Sequence, residues 1–494
     1  MKEKILEILK EETKGQNINE INNKLHLRGM EEITELEDNL KELVTEGVLH
    51  MSKNREYMLM NNTKSLKVGK LRINKNGNGF VECEPEDIFV HSNDLNGAIN
   101  GDFVEVEIKT RLNDPEPEGY IRNILKRDLK NVVGEMVKDK KTLAFKPDDE
   151  KLNIAVKLTK ESMKGCVEGH KVIISIIKEI GNRTFLGKVE KIIGHKNDPG
   201  VDILTIAAKH SIETEFSEEV KRELKNIPDE VCENDLIGRT DLTKEMIFTI
   251  DGDDTKDIDD AISVKRDGKN YVLGVHIADV SNYVKVGSAL YDSAFSRGTS
   301  SYLADTVIPM IPHQLSNGIC SLNPEVIRLT LSCIMTIDSN GKVISYDIFP
   351  SYIKSRKQMT YKNVNKILDK NIIPEGYEEY ADTLKLMHEL SKILRQEKIN
   401  RGYIDFGIDE AKVIQDENGK AIDIVKRVQG TGEKLIEDFM IAANETVATH
   451  IINLDLPFIY RVHDLPNAEK IEDFSNLIKQ MGYQIHTNLN KITP

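Results

Sequence analysis

Six aspartates stand within ten residues in the run Asp251-Gly-Asp-Asp-Thr-Lys-Asp-Ile-Asp-Asp260. Two carboxylates about 5 Å apart, at an effective dielectric near 20, repel by roughly 3 kcal/mol. A folded chain accepts several such pairs most readily when a cation lies among them. Asp257 and Asp259 share a face if the segment is extended, and Asp251 enters from the end of the preceding apolar run. Oxygen-only donors favour Mg²⁺, Mn²⁺ or Ca²⁺ over zinc. A calcium EF-hand is excluded, because counting from Asp251 its sixth position is Lys256 and its twelfth Ile262. Two readings stay open on the residues alone. One is a Mg²⁺ site for phosphate chemistry, with two ions about 3.5–4 Å apart; the other is a solvated acidic turn.

Strands must hold this loop. Met246-Ile-Phe-Thr-Ile250 is apolar and β-branched, as in a buried strand. Ala261-Ile-Ser-Val264 and Tyr271-Val-Leu-Gly-Val-His-Ile277 predict a hairpin turning at Asp267-Gly268. Acid density wedged between core strands is unusual, whereas acid density in a solvated loop is ordinary.

The 494 residues are enough for several domains. A net charge of −14 argues against a nucleic-acid partner only weakly, since a large acidic domain can mask small binding modules. Cys83, Cys166, Cys232, Cys320 and Cys333 stand far apart with no Cys-x-x-Cys pair, which predicts free thiols in a reducing compartment and no structural zinc. Met1-Lys-Glu-Lys-Ile-Leu-Glu lacks the apolar core of a secretory signal, and no run approaches a membrane span. The expectation is a soluble, cytoplasmic, monomeric protein.

The fold class expected is multidomain α+β. Residues 1–62 carry apolar stripes at Ile5/Leu9, Ile18/Ile21/Leu25 and Leu36/Leu40/Leu43, followed by Val48–His50 and Tyr57–Leu59, the pattern of a winged helix. Residues 64–128 alternate with glycine punctuation, as in Asn76-Gly-Asn-Gly-Phe-Val81, and resemble a cold-shock OB-type barrel. Phe80, Phe89 and His91 fall at its base-stacking positions, with Lys70, Arg72 and Lys75 available to phosphates. Asn78 stands where another aromatic is common, and Phe103 is expected in the core. Residues 129–205 predict a second, degenerate barrel, residues 206–245 a charged helical linker, and residues 246–494 a mixed α/β catalytic domain.

Asp251-x5-Asp257-x-Asp259-Asp260, preceded by Phe-Thr-Ile and followed by Ala-Ile, resembles the signature of the ribonuclease II/ribonuclease R (RNB) exoribonuclease family. The resemblance continues through His276-Ile-Ala-Asp-Val280, Ser301-Tyr-Leu-Ala304, Ile308-Pro-Met-Ile-Pro-His313, Cys320-Ser-Leu322, Arg328-Leu329, Ile404-Asp-Phe406, Leu435-Ile-Glu-Asp-Phe-Met-Ile-Ala-Ala-Asn444 and Tyr460-Arg-Val-His463. A winged helix, two barrels and then the acidic domain is the order of the ribonuclease R branch.

That resemblance implies processive, hydrolytic 3′-to-5′ degradation of RNA to 5′-monophosphates, in RNA turnover and processing. Its substrates would be single-stranded RNA and structured RNA with a 3′ overhang. It implies a two-ion Mg²⁺ site, which Mn²⁺ could also fill, with Asp251, Asp257, Asp259 and Asp260 as metal positions. Asp259 would be the most directly coupled to chemistry, with Asp257 beside it as a catalytic position; Asp253 and Asp254 fall off the pattern. Tyr302 matches the aromatic that stacks on the 3′-terminal base and Phe406 its partner across a clamp; one of Glu437 and Asp438 would contact the terminal ribose. His276, His313 and His463 are expected to be structural. The family's Ser-Pro-Ile-Arg-Arg-Tyr stretch and terminal OB-type domain do not occur in these residues. The comparison therefore implies a fragment, a split product or a diverged member, and the alternative function is a catalytically incomplete RNA-binding protein.

Overall fold

The three amphipathic stripes near the start fold as helices in this computed structural model, which describes all residues except 11–14, 53–54, 61–64, 84–85, 110–116, 128, 140–141, 164, 304–305, 405–409, 417–418, 463–467 and 484–494. The chain divides into two compact units, residues 1–212 and 213–494.

The first unit opens with α1 (Lys2–Lys10), β1 (Gln16–Asn17), α2 (Ile18–Leu25), α3 (Met30–Thr45), β2 (Leu49–Met51) and β3 (Glu56–Leu59). Ile5, Leu9, Ile21, Leu36, Leu40 and Leu43 meet in one core. Asn17 caps α2 by accepting from the Asn19 and Glu20 amides, and Glu20 reaches back to the Asn17 amide. The strands form a sheet in the order β1-β3-β2, so the expected hairpin gains a third strand.

Next come β4 (Leu66–Ile73), β5 (Gly79–Glu82), β6 (Ile88–Val90), β7 (Phe103–Ile108) and β8 (Glu118–Lys126), closed as a barrel β4-β5-β6-β8-β7 around Leu71, Val81, Val90, Val104, Val106 and Ile121. Phe103 is a correction to the sequence reading. It lies outside that core and packs beside the helical module, where a Cβ on Gly47 would come within 3.0 Å of its ring. Gly47 sits at φ +72, where glycine is favoured. Beside it, the buried His50 Nδ1 lies 2.6 Å from Glu105 Oε1 on β7, joining module to barrel.

The second barrel-like domain has β9 (Asn131–Asp139), β10 (Thr142–Pro147), β11 (Ala155–Leu158), β12 (His170–Gly181) and β13 (Thr184–His195), followed by α4 (Val201–Lys209). Its strands run β10-β9-β12-β13-β11, a five-stranded sheet with two edges rather than a closed ladder.

The second unit begins with α5 (Glu218–Leu224), the one α-helix lying wholly within the expected linker among the described residues. β14 (Thr240–Asp241), β15 (Thr249–Asp251), β16 (Asp260–Asp267), β17 (Asn270–Ala278), α6 (Ala289–Arg297), β18 (Ser301–Leu303) and β19 (Thr306–Ile308) follow. Then come β20 (Ile327–Ile337), β21 (Val343–Lys354), β22 (Gln358–Thr360), α7 (Tyr361–Lys370), α8 (Ala381–Asn400), β23 (Glu410–Gln415), β24 (Ala421–Arg427), α9 (Thr431–Asn453) and α10 (Ala468–Gln480). The main sheet is β14-β21-β20-β17-β16. Leu273, Val275, Met335 and Ile337 pack with Leu384, Met387, Leu390, Leu435 and Phe439 of α8 and α9 into the main core. The β16–β17 turn falls at Gly268-Lys269, since Asp267 still pairs with Asn270, one position later than expected.

Candidate active site

Asp251 ends β15 and Asp260 begins β16, so the acidic run is the connection between two anchored strands. β15 pairs in parallel with β22, placing Asp251 opposite Thr360, and Phe248 bridges to Ile262. Ile258 is the one residue of the loop fully withdrawn from solvent, and it packs with Ile247, Ala261, Ala278, Leu322 and Ile353. Its burial turns the flanking Asp257 and Asp259 the other way.

Distant backbone holds the loop's shape. The Ile258 amide donates to Ser321 Oγ (3.1 Å), and that hydroxyl donates to the Lys256 carbonyl (2.8 Å). The Leu322 amide donates to the Ile258 carbonyl and the Ala278 amide to that of Asp259 (both 2.9 Å). Buried Arg328 in turn donates to the Ser321 and Gly318 carbonyls at 2.9 and 3.2 Å. The Cys320-Ser-Leu322 and Arg328 motifs are thus the frame behind the aspartates.

The carboxylates differ in their partners. Asp251 Oδ1 accepts from the Gly252 amide (2.7 Å) and the Thr255 hydroxyl (3.0 Å). Asp257 Oδ2 accepts from the Tyr302 hydroxyl at 3.0 Å. No side-chain hydrogen bond reaches Asp259 or Asp260 among the described residues. Desolvation, then the charges of Asp251 and Asp259, pushes Asp260 up to about 6. Asp259 is raised by desolvation and by Asp257 and Asp251. Asp253 and Asp254 are exposed, as expected of residues off the pattern.

Asp251 and Asp257 act on Asp259, and Asp251 and Asp259 on Asp260, so the four carboxylates stand within one another's field. An oxygen-only set carrying uncompensated negative charge suits a hard divalent cation. Among the described residues, however, no three carboxylate, imidazole or thiolate groups converge as a ready-made cage. The donor chemistry fits such an ion.

Two residues near this site escaped the sequence reading. The Tyr361 phenol, at the start of α7, is raised by burial and by the charges of Asp251, Asp260 and Glu433. Glu433 lies in the first turn of α9, where it accepts from the Gly430 amide and from Asn365 Nδ2. Only the β15–β22 pairing brings Tyr361 close, and no local pattern announces it.

The other expected site residues scatter. Asp438 is almost fully buried and bonded to Ser391, Arg395 and Lys398 at 2.9–3.2 Å. Glu437 is half-buried and 3.3 Å from Lys398. Both belong to the α8–α9 contact, and neither charge is among those shifting the aspartates. Phe406 and His463 lie outside the described residues. His276 is buried, its Nδ1 2.6 Å from Ser332 Oγ and its Nε2 3.2 Å from Ser263 Oγ. His313 is exposed, 3.4 Å from Asn317.

On the first barrel, Phe80 and Phe89 are cross-strand partners, half-buried, with ring centroids 5.4 Å apart in an edge-to-face pair. His91 is exposed at the end of the same face. Arg72, opposite Phe80, is already paired with Glu82 (2.7 Å) and Asp87 (2.9 Å).

Three domain families match this architecture. Residues 239–494 match the RNB domain, residues 69–124 the Ribonuclease B OB domain and residues 145–217 the cold shock domain. The first barrel therefore corresponds to the Ribonuclease B OB domain, and the second domain is the one matched as cold-shock. The chain is 43% identical over 96% of its length to Ribonuclease R of Thermotoga maritima, and 39% identical over its whole length to Ribonuclease R 1 of Lactococcus lactis. It spans 68% and 63% of those two proteins. Among solved structures, Mycoplasma genitalium RNase R in complex with ribose-methylated single-stranded RNA aligns with 86% of this chain and 68% of that one, at a TM-score of 0.81 and 27% identity. This chain belongs to the ribonuclease R family of RNB-domain proteins. Among the described residues no helix is long and apolar enough to cross a membrane.

Proposed function

We propose that the chain carries the active site of a divalent-metal-dependent, processive exoribonuclease, which hydrolyses RNA from the 3′ end to 5′-nucleoside monophosphates. The observation that carries the reading is the gathering of the four matched aspartates on one framed loop of an RNB domain. Asp251, Asp257, Asp259 and Asp260 would hold Mg²⁺, one ion or two, with Mn²⁺ as a substitute. Such an ion, when bound, offsets phosphate charge and acidifies water.

The remaining work falls to the chain. The exposed Tyr302 ring offers a face to the terminal base, and its hydroxyl already touches the acidic site. Phe406 would complete a clamp, and Glu437 or Asp438 would approach the terminal ribose. A bond to the 2′-hydroxyl is the natural way to reject DNA. Phe80, Phe89 and His91 offer stacking surfaces to upstream bases, each such contact being worth about 1–3 kcal/mol. The first 62 residues would act as a winged helix. The substrates are single-stranded RNA and structured RNA with a 3′ overhang, met in the cytoplasm by a monomer.

Asp259→Asn tests the assignment. Cleavage of a single-stranded RNA should fall at least about 100-fold, the usual scale of losing one charge-stabilising group, while RNA affinity stays within about twofold. The stacking surfaces are untouched by the change. Near-normal turnover in the variant would remove Asp259 from the chemistry.

A further inference from the structure

Tyr302 combines two features that rarely meet in one side chain. The residue is 67% exposed, yet its hydroxyl is fixed to a carboxylate of the acidic site, donating to Asp257 Oδ2 at 3.0 Å. The residue sits in the short β18–β19 hairpin, opposite Val307. Tyrosine has two side-chain torsions, so ring and hydroxyl swing as one rigid piece. A base that repositions the ring also moves the hydroxyl.

Two of the four carboxylates in this site accept hydrogen bonds, and their partners differ. Asp251 is held by Gly252 and Thr255, both inside the loop itself. Asp257 is held by Tyr302, on a separate hairpin 45 positions away. Asp257 is therefore the carboxylate whose orientation a second element controls. Among the described residues no three donors converge on one point. A hydrogen bond to an ionised acceptor is among the stronger kinds, and a cation taken through Asp257 Oδ2 must compete with it.

We propose that the Tyr302 hydroxyl is a latch on Asp257, which the 3′-terminal base releases by seating on the Tyr302 ring, so that end-binding completes the carboxylate set that takes the metal. The inference deepens the reading above and rests on it. Tyr302 is here a positioning residue, acting on the ion through Asp257. The coupling is reciprocal, because any two ligands that must break the same bond assist one another. It would keep the ion weakly held until an RNA end is in place.

The hydroxyl can be removed while the ring stays. In Tyr302→Phe, metal-free RNA and RNA-free Mn²⁺ each bind without first breaking the latch. Both affinities should exceed those of the wild type by about three- to tenfold, the size of one net hydrogen bond to a partly exposed carboxylate. Mn²⁺ binding is read from loss of the free-ion paramagnetic resonance signal. RNA binding is read by gel shift in EDTA, where no cleavage intervenes. Tyr302→Ala should share the gain for Mn²⁺ but bind RNA more weakly than wild type, separating ring from hydroxyl. Circular dichroism checks that the exposed substitutions leave the fold intact. Equal or weaker Mn²⁺ binding in Tyr302→Phe overturns the latch and leaves the nuclease reading standing. Absence of Mn²⁺ binding in all three proteins overturns both.

Discussion

Ser321 shows how far the acidic loop depends on residues outside it. Its side chain is fully buried, and its hydroxyl lies between the Ile258 amide and the Lys256 carbonyl, 63 and 65 positions away in sequence. Ser321→Ala leaves both groups short of a partner in a site closed to water, a cost of about 1–3 kcal/mol. The expected result is a lower unfolding midpoint in urea together with weaker Mn²⁺ binding, since the loop loses its frame. A variant with wild-type stability and metal affinity would show that the Leu322 and Ala278 contacts suffice. The aspartates themselves were legible because their density is extreme and local. Ser321 and Arg328 stood in matching motifs with no role attached and Tyr361 in none, since each acts through a contact made only when distant strands pair. Asp438 shows the opposite case. Its place in a matched motif implies that it or Glu437 contacts the terminal ribose, whereas its bonds to Ser391, Arg395 and Lys398 are legible only in the fold.

β17 sets a pH limit on the main sheet. His276 on this strand sits between Ser263 of β16 and Ser332 of β20, and Ser332 continues to Ser351 of β21 at 2.6 Å. Burial pushes His276 down to about 4 from an ordinary 6.5. The unfolded chain therefore binds the extra proton between pH 6.5 and 4, and stability must fall as pH drops through that window. Up to about 3 kcal/mol is at stake, and nothing from this group changes above pH 7. Urea unfolding of wild type and His276→Gln between pH 4 and 8 reads the difference. The wild type should lose more stability on acidification than the variant, and parallel curves would mean that His276 does not titrate in the folded sheet. At this level the periodicities did well. The stripes at Ile5/Leu9 and Leu36/Leu40/Leu43 became α1 and α3, and the hairpin after the acidic run became β16 and β17. What escaped was polar or short: β8 alternates weakly through Glu118-Gly-Tyr-Ile-Arg-Asn123, and β1 spans only Gln16–Asn17. Phe103 was placed wrongly because an aromatic on a barrel strand can face the core or a neighbouring module, and only the junction at Gly47 decides.

Taken as a protein, the chain sets nucleic-acid-type β domains and an acidic RNB domain in separate compact units, 1–212 and 213–494. With that division, a net charge of −14 does not argue against the proposed RNA partner. Carboxylates suited to a cation dominate a simple charge count, to which aromatics suited to base stacking add nothing. The claim that unites them is directional, metal-dependent hydrolysis. A 5′-labelled single-stranded RNA, incubated with the protein and Mg²⁺ and resolved over time, reads it directly. The account predicts progressive shortening from the 3′ end with release of 5′-monophosphates, abolished by EDTA and restored by Mg²⁺ or Mn²⁺. Internal cuts, products bearing 3′-phosphates, or equal shortening in EDTA would contradict it.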